Sequence, residues 1–85
     1  MKNLYWLSTC PFCKQGRLFV FRNLNKQILY LHCEECERGF NNPYNLTKES
    51  AFLTLLEDFE SEEASMEDII NYGWEKLSLK QENEL

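Results

Sequence analysis

The side chains in this sequence with the clearest chemistry are four cysteines. They come as two pairs, "CPFC" at Cys10 and Cys13 and "CEEC" at Cys33 and Cys36. A single Cys-x-x-Cys is ambiguous, because it serves equally as a redox dithiol or as half of a metal site. A redox pair opens a helix, whose positive end lowers the pKa of the leading thiol. Cys13 is followed instead by Lys14-Gln15-Gly16 and "RLFVFRN", a β-branched and aromatic run that predicts a strand. The full pattern is C-x2-C-x19-C-x2-C, the spacing of a four-cysteine metal site. The halves also match beyond their cysteines, since "CPFCKQG" and "CEECERG" each place a glycine three residues after the second cysteine. They read as a small pseudo-repeat, two knuckles facing one ion, with Gly16 and Gly39 expected to supply the permissive backbone of each bend.

Four thiolates suit a redox-inert, tetrahedral cation, which points to one structural zinc ion held by Cys10, Cys13, Cys33 and Cys36. Iron uses the same ligands and is the competing ion. Two disulfides are the other way to use four cysteines. They fit less well, because "MKNLYWLS" at the start of the chain carries no secretory signal and a reduced, cytoplasmic protein is expected. At 85 residues the chain buries a modest share of its surface, so the metal is expected to contribute directly to folding. No run of about 18 apolar residues is present, and no membrane span is expected.

These ligands need elements to position them. Leu4 to Ser8 is a short apolar lead into the first knuckle, Arg17 to Asn23 a strand, "LNKQ" a polar turn, and Gln27 to His32 the strand returning to the second knuckle. Two knuckles joined by a β-hairpin resemble the zinc-ribbon superfamily over residues 10 to 39. After the turn in "FNNPYN", Phe52, Leu55, Leu56 and Phe59 fall at i, i+3, i+4 and i+7, the helical period, although "AFLTL" also suits a short strand. Helix is preferred here. Ser65 and Asp68 form a capping-box pattern ahead of "MEDIINYGW", with Gly73 as the stop. Trp74 and Leu77 should fold back onto the ribbon, and "SLKQENEL" has the composition of a frayed tail. The expected fold is small α+β and one domain overall: a zinc ribbon over 1 to 43, an acidic segment with short helix or helices packed on it over 44 to 77, and a tail over 78 to 85.

Charge is unevenly spread. Residues 1 to 43 carry a net +3 and residues 44 to 85 a net −8, within an overall −5. A four-cysteine zinc centre adds about −2. The densest acidic stretch, "EDFESEEASMED", holds Glu57, Asp58, Glu60, Glu62, Glu63, Glu67 and Asp68 without one basic residue. Such a stretch is either a solvated loop with acids placed against a helix dipole, or a face that docks on a basic partner.

Three function classes can be weighed on these residues. Catalysis is disfavoured: a closed shell of four cysteines leaves no Lewis-acid position, and the single histidine, His32, flanks Cys33 on a strand that turns neighbouring side chains to opposite faces. Nucleic-acid binding has some parts in place, with Lys14, Arg17, Arg22, Lys26 and Arg38 near the ribbon and Phe19, Phe21 and Tyr30 available for stacking. A net charge of −5 opposes phosphate contacts, and those aromatics also suit a core. A non-enzymatic protein-interaction module fits better, with the acidic strip as its contact surface and Tyr44, Tyr72 and Trp74 as aromatic anchors.

The order of "CPFCKQGRLF", "LYLHCEECERGF", an acidic stretch and "SMEDIINYGWEKL" resembles small bacterial zinc-ribbon proteins among the immunity proteins of toxin-immunity systems. The resemblance implies occlusion: an acidic face centred on Glu57 to Asp68 would cover the basic active-site groove of a toxin, of nuclease type, and exclude its substrate.

Overall fold

The computed structural model describes residues 3–54 and 60–83, except the side chains of Asn3 and Asn83. Within them the chain is small α+β, with one antiparallel sheet and one helix. The strands are β1 (Asn3–Thr9), β2 (Arg17–Asn23), β3 (Ile28–Cys33), β4 (Arg38–Phe40), β5 (Phe52–Leu53), β6 (Ser61–Glu63) and β7 (Lys80–Asn83), and the helix α1 (Met66–Tyr72) lies between the last two. Their spatial order is β5-β4-β3-β2-β1-β7, with β6 paired to β2. β1 takes the first half of one edge of β2 and β6 takes the second half, at Phe21 to Asn23.

The central hairpin follows from its side chains. In β2, Leu18 and Val20 point to one face of the sheet and Phe19 and Phe21 to the other, as strand geometry requires. The register runs from Leu18 opposite Cys33 to Asn23 opposite Ile28. Asn23 closes the turn, its buried side-chain oxygen accepting from the amides of Asn25 (3.0 Å) and Lys26 (3.1 Å). Leu18, Val20, Leu29, Leu31 and Phe40 form the core on the first face, joined by Ala64, Ile69 and Trp74 from the second half of the chain.

Helix α1 forms as its caps predict. Ser65 accepts from the Asp68 amide at 3.1 Å, and the Asp68 carboxylate accepts from the Ser65 amide at 3.0 Å. Gly73 ends the helix at φ 84°, and Trp74 folds back into the core with Leu77 packed against it.

Elsewhere the structure corrects the sequence reading. The apolar lead before the first knuckle is a full strand, β1. The helix expected through Phe52, Leu55, Leu56 and Phe59 is replaced at its start by β5, where Phe52 stands opposite Gly39; Leu55, Leu56 and Phe59 lie outside the described residues, as do Glu57 and Asp58 of the acidic strip. The tail expected to fray contains β7, whose Lys80 to Asn83 pair with Trp6 to Asn3. Composition marked that tail as polar because an edge strand exposed to water is polar too. The second half of the chain thus completes the sheet of the first.

Candidate metal centre

Each cysteine pair sits where a strand meets a tight turn. Cys10 follows β1 and Cys33 ends β3, while Cys13 and Cys36 lie in the turns beyond. The first turn is closed by the Cys10 amide donating to the Gly16 carbonyl at 2.7 Å. The hairpin register then carries the second turn to the first, with the Glu34 amide donating to the Arg17 carbonyl at 3.2 Å. The four sulfurs consequently converge within 4.8 Å of one another. Cys13 Sγ to Cys33 Sγ is 3.5 Å and Cys10 Sγ to Cys36 Sγ is 3.8 Å. Sulfurs about 2.3 Å from a common tetrahedral ion stand about 3.8 Å apart. All four thiols are free, and these separations are far beyond a disulfide's. Cys10, Cys13, Cys33 and Cys36 therefore fit one metal ion.

Backbone amides point at the sulfurs, as the knuckle reading expects. Phe12 donates to Cys10 Sγ at 3.3 Å, and Glu35, its counterpart in the second turn, donates to Cys33 Sγ at 3.4 Å. Cys13 Sγ accepts from Gly16 at 3.5 Å and Cys33 Sγ also from Cys36 at 3.4 Å. These bonds have unequal effects on the metal-free thiols. The Gly16 amide, followed by that of Gln15, lowers the Cys13 pKa to about 6. Burial pushes Cys33 up to about 12 and raises Cys36 as well. A cation in the centre supplies the positive charge that burial withholds from those two thiolates.

The glycines act differently from expectation. Neither Gly16 nor Gly39 takes the left-handed conformation; Lys14 (φ 60°) and Glu37 (φ 58°) do, each directly after its pair's second cysteine. Aligning the two halves would have exposed that shared position, but neither side chain advertises positive φ. The glycines are needed for space. A Cβ on Gly16 would stand 2.5 Å from Cys33 Sγ and 2.9 Å from the Glu35 amide nitrogen, and one on Gly39 would meet the Phe52 ring.

A clamp missed in the sequence joins the knuckles. Arg17 holds Glu34 by two guanidinium bonds, at 2.7 and 3.0 Å, and its own amide donates to the same carboxylate at 3.0 Å. The pair is 17 residues apart, and only the hairpin register brings it together. The Glu34 carboxyl is accordingly held below the ordinary carboxylate range. Arg17 also reaches Glu82 of β7 at 3.2 Å. His32 lies outside the sulfur cluster, on the opposite face of the sheet from Cys33, with its ring 5.0 Å from that of Phe21.

The residues expected to meet a partner are divided. Glu62, Glu63, Glu67, Asp68 and the exposed Met66 line one open cleft of about 540 Å³ between β6 and α1. Arg22 stands in it, 3.4 Å from Glu62 and 3.8 Å from Asp68. Glu60 is exposed just before β6, and Tyr72 is exposed at the helix end. Trp74 is not an anchor: it is 7 % exposed, in the core, with its ring packed edge-on to Tyr72. Gly73 turns the chain inward at that point, so the indole replaces solvent with core. No helix among the described residues is long and apolar enough to cross a membrane. Neither a protein-family model, a curated protein nor a solved structure matches the chain.

Proposed function

We propose that the chain is a non-enzymatic interaction module, stapled by one structural zinc ion in a ribbon-like centre, that binds a basic protein surface through the cleft between β6 and α1. The observation that carries this is the convergence of Glu62, Glu67 and Asp68 with the exposed Met66 around one cleft. The capping box and the β2–β6 pairing hold these carboxylates in place, so binding would order little that is not already ordered. Four cysteine ligands complete a tetrahedral shell and leave the ion no open position for substrate, which suits a structural role.

The sharper form of this proposal is an immunity protein. Its acidic cleft would seat on the basic substrate groove of a nuclease-type toxin in the cytoplasm and exclude nucleic acid by occupying its place. Nucleic-acid binding by the chain itself is less well supported. Arg17 and Arg22 are spent on Glu34, Glu82, Glu62 and Asp68, and Phe19 and Tyr30 are buried.

Native mass spectrometry of the untagged protein from its host tests both parts together. The expected species holds one zinc ion and a basic protein that salt releases and that the E62K/E67K variant fails to retain. Co-purified nucleic acid in place of a protein would shift the function to the alternative, and a metal-free species with a Cys10–Cys13 disulfide would remove the zinc centre.

A further inference from the structure

Each knuckle is followed by an arginine, and each arginine reaches into the other knuckle. Arg17, four residues after Cys13, holds Glu34 inside the second turn. Arg38, two residues after Cys36, lays its guanidinium 4.0 Å from the centre of the Phe12 ring inside the first turn. The two contacts differ in chemistry. Arg17 is neutralised by Glu34 and Glu82, whereas among the described residues no carboxylate pairs with Arg38.

Both ends of the second contact are fixed beside the sulfurs. Phe12 stands between Cys10 and Cys13, and its amide donates to Cys10 Sγ at 3.3 Å. The Arg38 amide bonds to the Cys36 thiol. Arg38 opens β4, where it stands opposite Leu53 of β5, and the Thr54 hydroxyl donates to the Glu37 carbonyl just before it at 2.6 Å. Alternation along β4 and β3 puts Arg38 on the face of Phe40 and Leu31, the face to which Cys33 also points. A ring quadrupole attracts a cation over roughly 6 Å, so a guanidinium at 4.0 Å is in close contact.

We infer that Arg38 is a latch on the metal centre: by stacking on Phe12 it ties the second knuckle to the first and slows loss of the bound ion. This rests on the proposed zinc centre and adds the residue that retains the ion. Two ligands come from each turn, so the ion leaves when the turns part, and the stacked pair must separate for that to happen. A zinc centre of four thiolates carries about two negative charges, which the guanidinium also offsets. Arginine suits the role better than lysine, because its planar group stacks on a ring. Arg38 acts here as a positioning residue, through Phe12.

The test follows zinc release from the metal-loaded protein into a chromophoric chelator, at concentrations where the rate no longer depends on the chelator, beside denaturant melts of the same samples. Arg38→Gln is expected to release zinc about 3- to 10-fold faster, and Phe12→Leu, which keeps an apolar side chain, about two- to fivefold faster. Arg38→Lys, which keeps the charge and loses the planar stack, should fall between Arg38→Gln and the parent. The double variant should release no faster than Arg38→Gln alone, as two residues acting through one contact require. Parent-like release from Arg38→Gln would overturn the latch with the zinc centre intact. Effects of Arg38→Gln and Phe12→Leu that multiply would overturn the pairing, and faster release matched by an equal fall in stability would assign Arg38 to the fold as a whole. A parent protein that binds no zinc would overturn this inference and the proposed metal centre together.

Discussion

The two knuckles share a local plan and differ in their surroundings. In each, the first cysteine is buried and the second half-exposed, and a left-handed residue follows the second. In each, that residue's amide bonds back to the first cysteine's carbonyl, at 2.9 Å from Lys14 to Cys10 and 3.2 Å from Glu37 to Cys33. Yet at the matching position the metal-free Cys13 thiol is lowered to about 6 while the Cys36 thiol is raised, and the Cys33 thiol is raised to about 12. Burial is what raises Cys36 and Cys33, the latter ending a central strand with Gly16 close to its sulfur, whereas at Cys13 the amides of Gly16 and Gln15 outweigh it. A repeated motif therefore sets the geometry of the ligands, while position in the sheet sets what each thiolate costs.

The largest test of that asymmetry is removal of single ligands. Cys33→Ser should abolish the cooperative fold, because structural zinc contributes on the order of 10 kcal/mol in small metal-stapled domains and a buried hydroxyl replaces a ligand there. Cys13→Ser should retain weaker metal binding, with water reaching the open position. Circular dichroism and zinc titration separate the two, and a Cys33→Ser protein that melts like the parent would remove the metal from the folding account.

Next come the glycines. Gly16→Ala should weaken zinc affinity about 10- to 100-fold, the usual scale for disturbing a ligand's support, because its Cβ would displace Cys33 Sγ. Gly39→Ala meets a ring rather than a ligand, so it should cost about 1–3 kcal/mol of stability with zinc affinity unchanged. Competition with a chromophoric chelator, alongside denaturant melts, reads both, and equal zinc affinities would show that the knuckles are supported alike.

The clamp has a smaller effect with a defined pH dependence. Glu34 has a lowered folded pKa, so its stabilisation is present above the unfolded carboxylate value of about 4.3 and is lost as pH falls through the folded one. Glu34→Gln should therefore cost about 0.5–1 kcal/mol near neutral pH, a value kept small because both partners are about one-third exposed and screened by solvent. Urea melts should converge with the parent's as the pH falls through that folded value. A difference that persists there would assign the effect to packing.

The smallest change is expected at the left-handed residues. Lys14→Gly and Glu37→Gly should each raise stability by about 0.5 kcal/mol, since glycine removes the Cβ strain at positive φ but adds freedom to the unfolded chain. Thermal melts that move in opposite directions would break the pseudo-symmetry of the turns.

Much of the metal centre was legible because its information is local. Cysteine spacing is counted along the chain, the 17–23 strand is marked by its own aromatic and β-branched residues, and Ser65, Asp68 and Gly73 signal a helix within nine residues. The remainder depends on pairing partners. Phe52 became a strand because Gly39 leaves room for its ring, and Lys80 to Asn83 were recruited by the open edge of β1. The acidic strip read as one surface along the sequence, but alternation in β6 turns Glu62 toward Arg22 and Glu63 toward Phe21.

By itself the sequence determined the four-cysteine set that could hold a metal ion, the hairpin between the two turns, the helix caps and the concentration of negative charge in the second half. Each depends on residue type and short-range spacing, which survive without a fold. Tertiary structure alone decided which thiol is buried, which carboxylates meet an arginine and which aromatics share a cleft. Burial and cross-strand neighbours arise only when segments distant in sequence close into one sheet with a register that settles every side chain's face.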